Sequence, residues 1–234
     1  MKKQTEFELR KISGGVFDKS TLMTLYKLSR KGSLGEIRSI VSTGKEANVY
    51  HGISDDKDIA VKIYAIETSD FKTMGRYILG DRRFGEWKNR RQLIFNWAKK
   101  EFKNLKRAYP DVKCPMPIDV ENNVLVMEFI GDDGIPAPRM KDFPPKRPRK
   151  YFKLIVEYIQ KMYSFGIVHG DLSEYNILNW NEPVIIDFSM GVLREHPLAE
   201  ELLVRDIRNI CNYFRNFGIN SNHEKILESV KNAR

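Results

Sequence analysis

The sequence predicts an α+β fold of two lobes, strand-rich in its first half and helix-rich in its second, on three observations. Short apolar runs broken by turn residues fill the stretch from Ile37 to Ile130. Apolar residues at helix spacing dominate after Tyr151. The chain has 234 residues, 41% of them hydrophobic, which suits one compact unit or two small lobes with a real core.

Residues 1–38 read as an N-terminal helical extension, in which Ser20 is placed to cap a run with Leu22, Leu25, Tyr26 and Leu28 at helix spacing before Gly32. Strands are expected at Ile37–Ser42, Ala47–Gly52 and Ile59–Tyr64. Gly44 and the polar turn Ser54-Asp55-Asp56-Lys57-Asp58 separate them, giving an antiparallel meander. Residues 67–91 are polar, contain Gly75, Gly80 and Gly85 and have no steady period, so a flexible loop is expected there. Ile94, Trp97, Ala98, Phe102, Leu105 and Ala108 then share one face of a long helix that stops at Pro110. Val112–Ile118 and Asn123–Ile130 read as two more strands. A Pro-rich basic stretch leads to a helix at Tyr151–Phe165, with Gly166 where a C-cap belongs. A strand pair, Asn176–Trp180 and Val184–Phe188, precedes helices at Ala199–Phe217 and Glu224–Val230. The lobes expected from these elements are 39–130 and 131–234.

Composition narrows the class. Cys114 and Cys211 have no partner at metal-ligand spacing and none of the four histidines falls in a zinc pattern, which argues against a disulfide framework or a zinc fold. The charged start, Met1 to Glu8, has no apolar signal-peptide core, and no apolar run approaches a membrane span. A cytoplasmic chain without a membrane partner is therefore expected. A net charge of +9 favours a polyanionic partner, because clustered Lys and Arg release counterions from phosphates, but charge alone does not name it.

The chemistry centres on His169-Gly170-Asp171-Leu172-Ser173-Glu174-Tyr175-Asn176, which matches the protein-kinase catalytic-loop pattern H-x-D-L-x-x-x-N, with Ile185-Ile186-Asp187 following. In phosphoryl transfer a carboxylate orients the nucleophile's proton, while an amide and a second carboxylate hold Mg²⁺ against the phosphates. Asp171 takes the first role; Asn176 and Asp187 take the second. The plainer alternative is that Asp171 and Asn176 cap a turn and Asp187 ends a strand. His169 is assigned to holding the loop.

Lys62 lies in Ile59-Ala60-Val61-Lys62-Ile63-Tyr64, like the Lys of the V-A-I-K element that contacts ATP phosphates. Glu101 is its candidate partner, against the alternative of one more helix-surface charge among Lys99, Lys100 and Lys103. Ser42-Thr43-Gly44-Lys45-Glu46-Ala47-Asn48-Val49-Tyr50 sits where kinases place a phosphate-covering loop, but with one glycine instead of three; an ordinary hairpin turn is the alternative.

That loop, extended to His51, resembles the signature loop of RIO kinases of the type-one branch. Val61 to Tyr64, the loop from Thr68 to Arg83-Phe84, Trp97 to Leu105, Met127 to Gly131, His169 to Leu178 and His196-Pro197 through Ile210 are similar to that branch too, so the resemblance runs from about Ser39 nearly to the end. It implies a trimmed two-lobed protein-kinase-like fold, and no Ala-Pro-Glu element follows Asp187. It implies that Glu128 and Ile130 meet adenine at the hinge, that Val49 and Met127 line its pocket, and that Ser42 and Lys45 join Lys62 and Glu101 around ATP. ATP with Mg²⁺, or Mn²⁺ in its place, is the expected cofactor set.

The family resemblance further implies Ser/Thr kinase activity, ATPase turnover through an aspartyl phosphate at Asp187, and work in late maturation of the small ribosomal subunit. The pre-small subunit, through its rRNA and proteins, is the expected partner, and the protein substrate is not legible. Asp187-Phe188-Ser189-Met190-Gly191 departs toward the type-two branch, but the Ser42 loop and the lack of a preceding winged helix favour type one, in a form similar to archaeal members. Two alternatives stand beside this reading: the small kinase of the KEOPS complex, and an assembly factor that binds ATP only as a switch. Basic runs at Arg82-Arg83, Arg90-Arg91, Lys99 to Arg107 and Arg139 to Lys153 are either solvated surface or rRNA contacts.

Overall fold

A computed structural model describes residues 17–67 and 71–233. The first sixteen residues of the expected extension and residues 68–70 lie outside the described residues. The described residues divide into two compact units, the first holding 17–67, 71–75, 85–102 and 117–136, the second holding 76–84, 103–116 and 137–233. The division interleaves the two lobes expected at 39–130 and 131–234.

In the first unit, helix α1 (Lys19–Lys31) is capped by Asp18 rather than by Ser20, which falls inside the helix. Asp18 Oδ1 accepts from the N–H groups of Ser20 at 2.8 Å and Thr21 at 3.2 Å, and a carboxylate also suits the positive end of the helix. Leu25 and Leu28 of α1 are buried in one cluster with Leu34, Ile37, Ile59, Val61, Val124 and Val126, so α1 belongs to the sheet's own core. The sheet is antiparallel, in the order β1-β2-β3-β5-β4, with β1 Glu36–Thr43, β2 Ala47–Ser54, β3 Lys57–Tyr64, β4 Pro117–Glu121 and β5 Val124–Glu128. The strand expected from Val112 begins only at Pro117, because Pro115 and Pro117 bring no N–H to a ladder and a proline is tolerated at a first strand position.

Within the stretch read as a loop, 67–91, lies helix α2 (Phe71–Ile78), whose Met74, Tyr77 and Ile78 are buried at helix spacing. Gly75 masked that period; a Cβ there would meet the Trp87 ring at 3.4 Å. Helix α3 (Arg90–Ala108) follows, burying Ile94, Trp97, Ala98, Leu105 and Ala108 as its pattern requires. Strands β6 (Gly131–Asp132) and β7 (Ile135–Pro136) form a short hairpin at the end of the first unit.

In the second unit, α4 (Pro148–Ser164) starts earlier than its apolar period because Pro148 fits a first helical turn, where an N–H is not needed. Gly166, at φ +77, ends it. Strand β8 (Ile167–Val168) pairs with β11 (Val192–Leu193), and β9 (Ile177–Trp180) with β10 (Glu182–Ile185). The strand expected to reach Phe188 stops at Ile185, since Asp187 adopts φ +61 and starts a 3-10 helix, Phe188–Met190. Helices α5 (Ala199–Arg215) and α6 (His223–Lys231) close the unit. Cys114 and Cys211 are buried free thiols. Among the described residues no helix is long and apolar enough to cross a membrane.

Candidate active site

Sheet register decides what the first unit presents. Val49 pairs with Lys62, and Ala60 pairs with both His51 and Met127, so Val49, Lys62, Ala60 and Met127 share one face. The alternate residues Ile59, Val61 and Ile63 point to the core cluster with α1. A lysine on the other face needs a counter-charge, and α3 supplies it: Lys62 Nζ donates to Glu101 Oε1 at 2.9 Å. Glu101 is 0% exposed and Lys62 6%, so Glu101 is no surface charge. The Tyr64 hydroxyl donates to the other carboxylate oxygen, Oε2. Tyr64 stands two residues from Lys62 on the same strand face, a spacing that could have pointed to it from sequence alone.

The turn between β1 and β2 is closed by Asn48, whose Oδ1 accepts from the Gly44 N–H at 3.3 Å. A Cβ at Gly44 would lie 3.0 Å from the Ala47 carbonyl oxygen, so the turn is drawn tightly. Lys45 is exposed at this turn, and Ser42 pairs with Val49. Glu128 ends β5, and Ile130 is buried two residues on. Ser42, Lys45, Val49, Lys62, Glu101, Met127, Glu128 and Ile130 thus all belong to the first unit.

Asp171, Asn176 and Asp187 belong to the second. Asn176 Nδ2 donates to both the Asp171 carbonyl, at 2.8 Å, and its Oδ2, at 2.9 Å. With both N–H directions engaged, the Asn176 amide oxygen is left as an acceptor for a cation. Burial holds the Asp171 carboxyl above the usual carboxylate range, and the negative charge of Asp187 pushes it the same way, while the Asn176 bond opposes. Asp187 is oriented by Ser189, whose Oγ donates to its Oδ1 at 2.6 Å. His169 has the expected holding role: its Nδ1 accepts from the Asp171 N–H at 3.3 Å, so Nε2 donates to the Ile186 carbonyl at 3.1 Å.

Asp206, Arg205 and Asn104 also hold this site; they fall in segments that resemble the family, but the sequence pattern assigns them no role. Asp206, on α5, accepts from the N–H of Gly170 at 2.7 Å and of Leu172 at 2.8 Å, bracketing Asp171. Burial pushes its carboxyl up to about 7, against the pull of those two bonds and of Arg205. The Arg205 guanidinium donates to the Gly170 carbonyl. Asn104 Nδ2 donates to the carbonyls of Phe188, at 3.0 Å, and Gly191, at 2.8 Å, so it clamps the turn that carries Asp187. Asn104 Oδ1 in turn accepts from Arg83 at 2.8 Å. The readable trace of Asp206 is an acid on the apolar face of a helix, between Leu202 and Ile210 at four-residue steps.

A family model described as the RIO domain matches residues 48–227. The chain belongs to the RIO family. It is 47% identical over 234 residues to the RIO-type serine/threonine-protein kinase Rio1 of Methanocaldococcus jannaschii, covering 98% of this chain and 81% of that relative. The Rio1 of Haloferax volcanii is 42% identical, over 94% of this chain and 77% of its own length. The human serine/threonine-protein kinase RIO1 is 39% identical over 85% of this chain, which spans 37% of that longer protein. The fold is that of RIO kinases. The Rio2 kinase of Chaetomium thermophilum, solved as an ADP/Mg²⁺-phosphoaspartate complex, superimposes with a TM-score of 0.69 at 23% identity, over 91% of this chain and 66% of that one. A second structure of that kinase gives 0.66, over 92% of this chain and 69% of that one. The matched RIO domain includes every candidate site residue except Ser42 and Lys45, which precede it.

Proposed function

We propose that this RIO chain is an ATP- and Mg²⁺-dependent serine/threonine protein kinase with ATPase turnover, acting in late maturation of the small ribosomal subunit. The observation that carries the enzyme reading is the fixed set of Asp171, Asn176 and Asp187, in which Asn176 is oriented through Asp171 and keeps an amide oxygen for a cation. One amide and one carboxylate suit Mg²⁺, which takes one or two protein ligands and completes its shell with waters and substrate phosphates. Among the described residues no cluster of three His, Cys, Asp or Glu competes as a cage for the ion. Mg²⁺, when bound by Asn176 and Asp187, neutralises phosphate charge.

The remaining work falls to the chain's own groups. Lys62, aimed by Glu101, meets the ATP phosphates. Asp187 carboxylate oxygen bonds to the γ-phosphorus as the bond to the β-phosphate oxygen breaks, giving an acyl phosphate and ADP. Water or a protein hydroxyl then attacks that phosphorus, giving its proton to Asp171, and the Asp187 carboxylate is released. The raised proton affinity of Asp171 fits a base that has to take a proton from a hydroxyl. The phosphoaspartate of the Chaetomium thermophilum Rio2 complex supports this route by analogy. The names of the archaeal relatives support serine or threonine as acceptors.

A net charge of +9 supports a ribonucleoprotein partner. Asp171→Ala and Asp187→Ala should each abolish ATP turnover in folded protein, and trapping of ³²P on Asp187 should separate the kinase from an ATP-switched assembly factor. Normal hydrolysis by both variants overturns the enzyme reading. Turnover measured with and without immature small subunits tests the ribosomal reading, which predicts strong stimulation.

A further inference from the structure

The stretch from Pro138 to Lys150 carries six Lys or Arg against one acid, Asp142. Its first half, Pro138 to Phe143, differs from an ordinary solvated charge run in being fastened in place. The N–H groups of Met140 and Lys141 donate to the carbonyls of Ile177, at 2.8 Å, and Glu174, at 3.0 Å. Asn179 donates its backbone N–H to Pro138 at 2.8 Å and its amide to Phe143 at 3.0 Å, and the Tyr213 hydroxyl donates to Met140 at 2.9 Å. That half of the basic stretch is therefore laced to residues 174–179, the continuation of the loop that starts at Asp171. At the junction the Lys141 ammonium lies 5.4 Å over the ring of Tyr175, the residue next to Asn176. Lys146, Arg147, Arg149 and Lys150 are exposed and form no ion pair among the described residues.

We infer that this surface selects protein substrates by charge, reading Asp, Glu or phosphoserine side chains that flank the Ser or Thr delivered to Asp171. The inference rests on the kinase reading above. These unpaired cations follow directly on a segment laced to the loop that carries Asp171, which makes the surface complementary to an acidic segment, and each exposed contact is weak, so several together set the selectivity. Arginine forks at Arg147 and Arg149 suit carboxylate and phosphate groups alike. A single-stranded nucleic acid fits this surface less well. Such sites offer successive aromatic faces to successive bases, whereas here the Tyr175 ring already carries Lys141, and between residues 138 and 151 Phe143 is the one exposed aromatic among the described residues.

The test uses two serine peptides that differ only in Glu or Gln at the flanking positions, phosphorylated by the full chain. The Glu peptide should have a kcat/KM roughly tenfold higher, the sum of several weak charge contacts. The triple variant Lys146→Ala, Arg147→Ala, Arg149→Ala should bring that ratio toward one. Binding of labelled ADP, measured separately, tells the two readings apart: a chain that binds no nucleotide sinks the kinase reading and this one with it. Nucleotide binding with equal kcat/KM for both peptides overturns the charge selection alone, whereas nucleotide binding with phosphorylation of neither peptide overturns the kinase reading and the charge selection together. Oligouridylate that binds through these three residues, with the Glu preference absent, also overturns it and marks the surface as one for nucleic acid.

Discussion

Lys62 and Glu101, 39 residues apart in the chain, form a buried ion pair at 2.9 Å. Removing one partner strands the other charge away from water, so Glu101→Ala should destabilise the protein by about 3–5 kcal/mol in urea unfolding. Labelled-ADP affinity should fall with it. The double variant Lys62→Met, Glu101→Leu should regain most of the stability, since well-packed apolar groups replace a buried pair at little cost. It should not regain ATP turnover. Recovery of both would show that the pair only holds the fold.

Tyr64 offers a finer probe of the same carboxylate. Its hydroxyl donates to Glu101 Oε2, and a hydrogen bond to a charged group contributes about 1.5–3 kcal/mol. Tyr64→Phe keeps the ring and loses that bond. Urea midpoint and ATP KM should both worsen, and by less than in Glu101→Ala.

Asp206 predicts a pH dependence of stability. Its folded-state carboxyl stands at about 7, above the ordinary 3.8, so the folded protein retains a proton that the unfolded chain releases. Its favourable contribution is complete below the unfolded value and is lost as pH rises toward the folded one. Asp206→Asn cannot titrate. Unfolding followed from about pH 4 to about pH 8 should show the wild type losing stability relative to this variant as pH rises. A constant difference across that range would rule the proton out.

The loop around Asp171 also depends on a glycine. Gly170 adopts φ +79, and a Cβ there would sit 2.8 Å from the Met190 carbonyl oxygen, a backbone atom that cannot swing away. Gly170→Ala should cost about 1–3 kcal/mol of stability and displace Asp171, lowering kcat more than it raises the KM for ATP.

Asn104→Ala should loosen the opposite side of the site. It leaves the carbonyls of Phe188 and Gly191 without the buried donor they share, at about 1–3 kcal/mol. Proteolysis near Asp187 should speed up, and turnover should fall while ADP binding persists.

The sequence by itself determined the residues whose chemistry demands fixed local spacing. Asp171 and Asn176 sit on one loop, Lys62 on a strand whose alternation is plain, and Glu101 on a long amphipathic helix, so short-range pattern sufficed to propose them. The same patterns placed the strands of the first sheet other than β4, the long helix and the closing helices to within a few residues. Local pattern failed where a competing signal was stronger. Gly75 hid α2, Pro115 and Pro117 delayed β4, and Ser20 outbid Asp18 as a cap because the apolar run begins beside it.

Only the tertiary structure showed that Asp206 and Asn104, beside the expected holders His169 and Glu101, fix the candidate site residues. Asp206 reaches Gly170 and Leu172 across 36 and 34 residues, and Asn104 reaches Phe188 and Gly191 across 84 and 87. Their partners are backbone N–H and carbonyl groups, which are the same in every residue and leave no mark in a sequence. A buried polar side chain must find such a partner, but which one depends on where the chain returns, and that is set by packing of the whole unit.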